Sequence, residues 1–348
     1  MLKYILLYCI DALRAERSVA NVYYLLRGKK STQTIQDSHL YNLTNFFGVY
    51  RTIKRKDFNR VVDELVKMNL IKISEQGFAH MNEYGKEYLV NQYNKFQHLY
   101  LKGMSYEKSA PQFLATLILL IQTVTNIHMK NYRFIPVIDD VAIQSNVKRF
   151  LQSKQLDMTI LLKDLYDDLL QILSSRKFPE YSKDIFVDYI TSANEVGLGQ
   201  QQLAVKYNIS KEDIHCYLMN MIHLILEEIR ITAPTYKVLP YILDQKRKLP
   251  LTESAIVTYK YYSSGYTIHE IANQRNLKES TVQDHIIEIA YMGEVKWSNH
   301  MNDKEFSLIR EVLEKSNTKQ LKTLKDQLPD FITYFQIKLV IALWHKNC

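Results

Sequence analysis

Gly265-Tyr266-Thr267-Ile268-His269-Glu270-Ile271-Ala272-Asn273-Gln274-Arg275-Asn276-Leu277-Lys278-Glu279-Ser280-Thr281-Val282-Gln283-Asp284-His285-Ile286 decides how the end of this 348-residue chain folds. Ile268, Ile271 and Ala272 recur at helical spacing and make the inner face of one short helix. The small Ala272 lets a second helix cross closely, and Leu277 plugs the turn. Ser280 and Thr281 begin that second helix, whose inner face is Val282, Ile286 and Ile289. This is the spacing of a helix-turn-helix, with an ordinary helical hairpin as the alternative. A helix entering the major groove offers polar side chains to base edges and phosphates. The outward candidates are Lys278, Ser280, Gln283, Asp284 and His285, and the DNA contacts expected here are Lys278, Ser280, Thr281 and Gln283. Residues 267–291 hold two cations, Arg275 and Lys278, against Glu270, Glu279, Asp284 and Glu288. That balance repels phosphate, so the segment either docks a protein or adds little on DNA.

Outward from this motif, residues 251–345 read as helical, and Lys246-Arg247-Lys248-Leu249-Pro250 reads as a linker. From 104 to 248 the pattern is helical, with breaks near Pro136, Pro179 and Pro234 to Pro240. Within it, Gln200-Gln201-Gln202-Leu203-Ala204, Ile209-Ser210 and Ile214 are weakly helix-turn-helix-like, with a plain helical pair as the alternative. At the other end, residues 3–28, 33–47 and 57–69 carry helical periodicity; Gly28 and Gly48 stop the first two, and Asp57 is the expected N-cap of the third. Then the period changes. Residues 70–73 and 78–81 read as short strands around a Ser74-Glu75-Gln76-Gly77 turn, and helix resumes from Glu83 to Tyr93. Three helices followed by a hairpin is winged-helix order. The expected fold is mainly α, with a winged helix over 1–102, a helical middle over 103–248 and a helix-turn-helix domain over 249–348.

Composition narrows the function. The apolar fraction is 47%, and Gly (9) and Pro (7) are scarce, which disfavours an all-β fold. The net charge of +8 is unevenly placed, because residues 1–102 hold 16 Lys/Arg against 9 Asp/Glu and the rest is nearly balanced. A positive field at one end is the electrostatic footprint of a polyanion-binding module. Arg27, Lys29 and Lys30 follow the first helix; Arg51, Lys54, Arg55 and Lys56 lead into the third, where Arg60 follows. Cations around the start of a helix meet phosphates together with its dipole. Phe78, just past the wing turn, either stacks on an unpaired base or packs the hairpin. The 25 tyrosines serve either stacking or core rims. No phosphate loop, GxGxxG, HExxH or GxSxG is present, so no enzyme, cofactor, metal or small-molecule substrate is expected. His215, Cys216 and His223 have no common zinc spacing, and Asp139-Asp140 and Asp167-Asp168 read as caps or solvated faces. Cys9, Cys216 and Cys348 are far apart, which fits a reducing cytoplasm. The apolar run Phe113 to Ile121 is shorter than a membrane span and reads as a core helix.

Two segments resemble known families. Leu25-Leu26-Arg27-Gly28-Lys29-Lys30-Ser31, Leu43, Phe47-Gly48, Phe58, Leu65 and Leu70-Ile71 make residues 17–90 similar to the winged helix that follows the motor domains of RecQ helicases. Gly265-Tyr266-Thr267-Ile268, Glu270-Ile271-Ala272, Arg275, Leu277, Ser280-Thr281-Val282, His285-Ile286 and the terminal stretch 334–342 make residues 251–345 resemble the helicase-associated helix-turn-helix domain of some RecQ-type helicases. In order and length the whole chain is similar to the YpbB-like proteins of Gram-positive bacteria, encoded beside a RecQ-type helicase gene. The resemblance implies a non-catalytic, nucleoid-associated protein of the cytoplasm that binds forked or junction DNA. Its implied partner is a RecQ-type helicase on a separate chain. A transcriptional regulator and a pure protein adaptor are the alternatives.

Overall fold

The computed structural model describes every residue except 97–98, 155–156, 176–178, 244–250, 317 and 345–348; the expected linker at 246–250 and Cys348 lie outside the described residues. The chain is mainly α. In order it forms α1 (Leu2–Leu13), α2 (Val19–Leu26), α3 (Thr32–Leu40), α4 (Arg55–Lys67), β1 (Ile71–Ile73), β2 (Ala79–Met81) and α5 (Glu83–Phe96). There follow α6 (Gly103–Tyr106), α7 (Ser109–His128), α8 (Val141–Lys154), α9 (Met158–Ser174), α10 (Glu180–Tyr189), α11 (Gln200–Lys206), α12 (Lys211–Thr232) and α13 (Leu239–Ile242). The last are α14 (Glu253–Ser263), α15 (Ile268–Arg275), α16 (Glu279–Met292), α17 (Asp303–Lys315), α18 (Leu321–Lys325) and α19 (Tyr334–Trp344).

These elements pack into two compact units. One comprises Met1–Ile5, Val49–Thr52 and Lys86–Arg247; the other comprises Leu6–Gly48, Ile53–Gly85 and Lys248–Cys348. Most of the basic N-terminal segment and the C-terminal segment thus belong to one unit, called here the terminal unit, and residues 103–248 supply most of the other.

In the terminal unit, α2, α3 and α4 enclose Leu26, Ile35, Leu43, Phe47, Phe58 and Leu65, all nearly inaccessible. Strands β1 and β2 pair antiparallel, with Ile71 opposite Met81 and Ile73 opposite Ala79. Gly28 ends α2 in the left-handed region at φ +63, where a Cβ would lie 2.8 Å from the Gly48 Cα. Glycine is required there twice over, by conformation and by space. The Gly48 N–H donates to the Leu25 carbonyl at 2.8 Å and fixes the same junction.

Three expected boundaries are corrected. Residues 3–28 are two helices, because Arg14 and Ala15 take positive φ of 48 and 54 and Ser18 is extended to bridge Phe78 of the wing. The expected helix 33–47 ends at Leu40; Asn42 turns left-handed and only a short 3-10 turn, Thr44–Phe46, follows. The N-cap of α4 is Lys54 rather than Asp57, which sits in the first turn, where a carboxylate favours the helix dipole. Apolar periodicity does not register left-handed residues, so it ran the segments together.

The other unit is built on α7 and α12. By length and composition α7 is apolar enough to cross a membrane, and 67% of that window is buried within the protein. Phe113, Leu117, Leu120 and Val124 are its inner residues. Asp140 accepts the Ala142 N–H at 2.9 Å at the start of α8, and buried Asp168 accepts the N–H groups of Lys237, Val238 and Leu239 at 2.8–3.1 Å. Both carboxylates are caps, as expected.

Candidate nucleic-acid interface

Phe58, Val61, Val62 and Leu65 point α4 inward, which leaves Arg55, Lys56, Asn59, Arg60, Asp63 and Lys67 exposed on the opposite face. That face carries cations at its leading end. No side chain caps the α4 N-terminus. Lys54 and Lys56 are exposed, and neither has an ion-pair partner among the described residues. Arg60 pairs with Glu64 one turn on, at 3.2 Å, an exposed pair of small energetic weight.

The end of α2 joins this surface through aromatic rings. The Arg55 guanidinium lies 4.7 Å and that of Arg27 5.6 Å from the centroid of the Tyr23 ring, so one tyrosine gathers cations from two elements. Arg27 also donates to the Tyr23 hydroxyl at 3.3 Å. Lys29 sits 4.1 Å over the ring of the exposed Tyr24. Cation–π contact holds Lys29 and Arg55 in place without neutralising them, which suits a phosphate-facing surface. Neither Tyr23 nor Tyr24 is expected in the interface from sequence. The four-residue spacing from Tyr23 to Arg27 was the available signal.

Two expected contacts are engaged within the protein. Arg51 belongs to the other unit, where its guanidinium bonds the buried Glu107 carboxylate at 2.8 Å. The Lys30 charge acts on Glu288 of α16. Burial pushes the Glu288 carboxyl up, opposed by the Thr252 N–H and hydroxyl and by the Lys30 charge. The wing is short and tied down: the Val19 N–H donates to the Gly77 carbonyl at 2.9 Å, and the Phe78 N–H donates to Ser74 Oγ at 3.2 Å. Phe78 is half-buried in the hairpin, while Glu75 and Gln76 form the exposed tip.

The C-terminal motif has the expected backbone. Thr267 caps α15 in a reciprocal box with Glu270, Asn276 turns left-handed at φ 49, and the Leu277 N–H donates to the Ala272 carbonyl at 2.9 Å. Val282, Ile286 and Ile289 are fully buried. Residues 254–341 form a helix-turn-helix domain. They match the family model described as "Helix-turn-helix domain". Over nearly its whole length the chain is also similar to Protein YpbB of Bacillus subtilis (strain 168), with 28% identity over 339 residues, covering 96% of this chain and 95% of the relative. No solved structure matches. A helix-turn-helix domain supports DNA binding.

The face that such a domain usually turns to the groove is covered here. Helices α3 and α19 pack against α16, Ile287 is fully buried, and the Tyr291 ring stacks on His39 of α3 at 4.0 Å. Asp284 is paired with Lys338 at 3.0 Å. His285 is buried, bonded through Nδ1 to the Thr258 hydroxyl at 2.8 Å, and pushed below the usual histidine range by burial and by the Arg275 charge. Arg275 itself turns inward to the Ser254 carbonyl at 2.9 Å and to Thr258. His285 is therefore not an outward group, contrary to expectation, while Asp284 stays half-exposed but is paired with Lys338. Thr281 and Gln283 are half-buried, and only Lys278, Glu279 and Ser280 at the first turn are fully open. Glu279 is bridged to His269 at 2.7 Å.

The loose His/Cys group serves packing. His215 stacks on Tyr50 at 3.9 Å and bonds the Val49 carbonyl, Cys216 is buried, and His223 Nδ1 accepts the Lys102 N–H at 3.1 Å. Among the described residues no three His, Cys, Asp or Glu side chains converge as for a metal.

Proposed function

We propose that this chain is a non-catalytic DNA-binding accessory subunit of a RecQ-type helicase carried on a separate polypeptide, acting on forked or junction DNA in repair, recombination or fork processing. The observation that carries the DNA-binding part is the exposed cation surface formed by Arg27, Lys29, Lys54, Arg55 and Lys56 around Tyr23, Tyr24 and the start of α4. Such a surface grips phosphates and fixes the protein on the duplex without carrying sequence information. The helicase part rests on the resemblance of the two end segments to the accessory domains of RecQ-type helicases. Similarity to Protein YpbB along almost the full length agrees with an arrangement kept as a whole.

In this reading the winged helix holds DNA, and the helix-turn-helix domain serves mainly as the platform on which α3 is seated. The covered face of α16 favours that division of labour over base reading by the C-terminal domain. The protein would sit on the nucleoid in the cytoplasm and raise the local concentration of its motor at the fork. The test is unwinding of a forked duplex by the motor with and without this protein at matched low salt. Stimulation is expected. An unchanged rate overturns the helicase partnership, and a footprint on a defined palindrome replaces it with transcriptional regulation.

A further inference from the structure

Helices α10, α11 and α12 repeat the architecture of α14, α15 and α16. In each set three consecutive helices pack mutually, and the third is the long buried one. The turns match residue by residue. The Gly199 N–H donates to the Gln202 side chain at 2.8 Å, as the Thr267 N–H does to Glu270 at 2.8 Å. Leu203 and Ala204 are buried where Ile271 and Ala272 are. Asn208 turns left-handed at φ 52, as Asn276 does at φ 49. The Ile209 N–H reaches back to the Ala204 carbonyl at 3.1 Å, as Leu277 does to Ala272 at 2.9 Å. Ile214 then plugs the core where Val282 does. The correspondence is that of a second helix-turn-helix rather than of a plain helical pair.

The two differ in charge. Residues 196–211 contain Lys206 and Lys211 and no carboxylate, whereas the matching C-terminal stretch carries Glu270 and Glu279. Gln201, Gln202, Lys206, Asn208 and Lys211 are exposed. Three of the neighbouring acids are occupied: Glu212 is buried, Asp213 holds the N-terminal amine at 2.9 Å, and Asp188 accepts from Tyr207 at 2.7 Å while pairing with Lys206 at 2.5 Å, which leaves Asp184 and Glu195 as the exposed acids near the turn. Farther along α12, His215 is stacked on Tyr50 and Met219 is buried, so the helix cannot be read along its length. What remains open is the first helix, the turn and one lysine beyond it. Those are the positions at which a helix-turn-helix meets the sugar-phosphate backbone.

We infer that α10–α12 is a second helix-turn-helix and that its Gln201, Lys206 and Lys211 make a backbone-only contact with duplex DNA, additional to that of the winged helix. The inference rests on the DNA-binding reading given above. It is tested on the full chain by fluorescence anisotropy with a random-sequence duplex over a salt series, using K206E/K211E and the neutral K206Q/K211Q. The neutral pair guards against repulsion of a new glutamate by Asp188, and thermal unfolding checks the fold of both. Each lost phosphate contact removes about 0.9 from the log–log salt slope, so the slope falls by about two and affinity at low salt drops at least about tenfold. Unchanged slope and affinity in both folded variants overturn the inference, and the surface is then free for a protein partner. A K54E/R55E/K56E variant run alongside separates the two claims. If it alone loses binding, only the second contact fails; if wild type binds no DNA at low salt, the DNA-binding reading itself fails.

Discussion

Replacing Glu16 with alanine tests whether the two ends of the chain fold as one unit. The Glu16 carboxylate accepts the Tyr41 hydroxyl at 2.7 Å, the Thr318 hydroxyl at 2.7 Å and the Lys319 N–H at 3.2 Å. It therefore ties the loop before α2 to the segment before α18, across 302 positions of sequence. The Lys319 ammonium in turn donates to the Leu40 carbonyl at the end of α3. A hydrogen bond to a charged group contributes about 1.5–3 kcal/mol when its partner is removed, and partial exposure reduces that, so three together are worth about 3 kcal/mol. Both tryptophans, Trp297 and Trp344, lie in the C-terminal segment, so fluorescence excited selectively at tryptophan reports on that segment. With a urea dependence of about 2 kcal/mol per molar, the fluorescence midpoint of E16A falls by about 1.5 M. E16Q keeps an acceptor and loses less. A tryptophan midpoint in E16A within about 0.3 M of wild type refutes the reasoning, because the C-terminal segment would then unfold without regard to α2 and α3.

Gly28→Ala places a side chain at φ +63 against the Gly48 backbone, and a thermal melt should show a loss of about 2–4 kcal/mol in the terminal unit. Gln283→Ala and Thr281→Ala are expected to leave DNA affinity within twofold, since α3 and α19 cover α16; a tenfold loss in anisotropy would show that α16 reaches DNA after all. Burial pushes the His223 imidazole down to about 3, below the ordinary unfolded value, so its contribution is complete above about pH 6.5 and is lost as pH falls from there toward 3, at up to about 1.4 kcal/mol per pH unit. Urea unfolding monitored by circular dichroism from pH 7 to 4 should show a shallower acid loss in His223→Asn than in wild type.

Much of this arrangement was legible in local sequence. The period change from 3.6 to 2 near Leu70 marked the wing, and Ala272, Leu277 and Val282 marked the C-terminal turn, because close crossing of two short helices demands those sizes at those places. Side chains whose roles depend on distant segments were not legible. Nothing around Lys30 shows that its charge acts on Glu288, and nothing around Asp284 shows that Lys338 neutralises it. Arg51 looked like part of one basic run with Lys54 to Lys56, yet Glu107 claims it. Charge counted along a chain assigns no partner to a charge; packing does. The turn at Asn208 was visible only faintly because Gln and Lys replace the residues that made its C-terminal counterpart distinctive.

The central claim is that the winged helix, through the start of α4, is the principal grip on DNA. Fluorescence anisotropy on forked, duplex and single-stranded DNA over a salt series, comparing wild type with K54E/R55E/K56E, tests it most directly. The account predicts salt-steep binding with forks preferred, and a variant that keeps its fold but loses most of its affinity and about three units of salt slope. Binding by the folded variant at wild-type affinity and slope would contradict it.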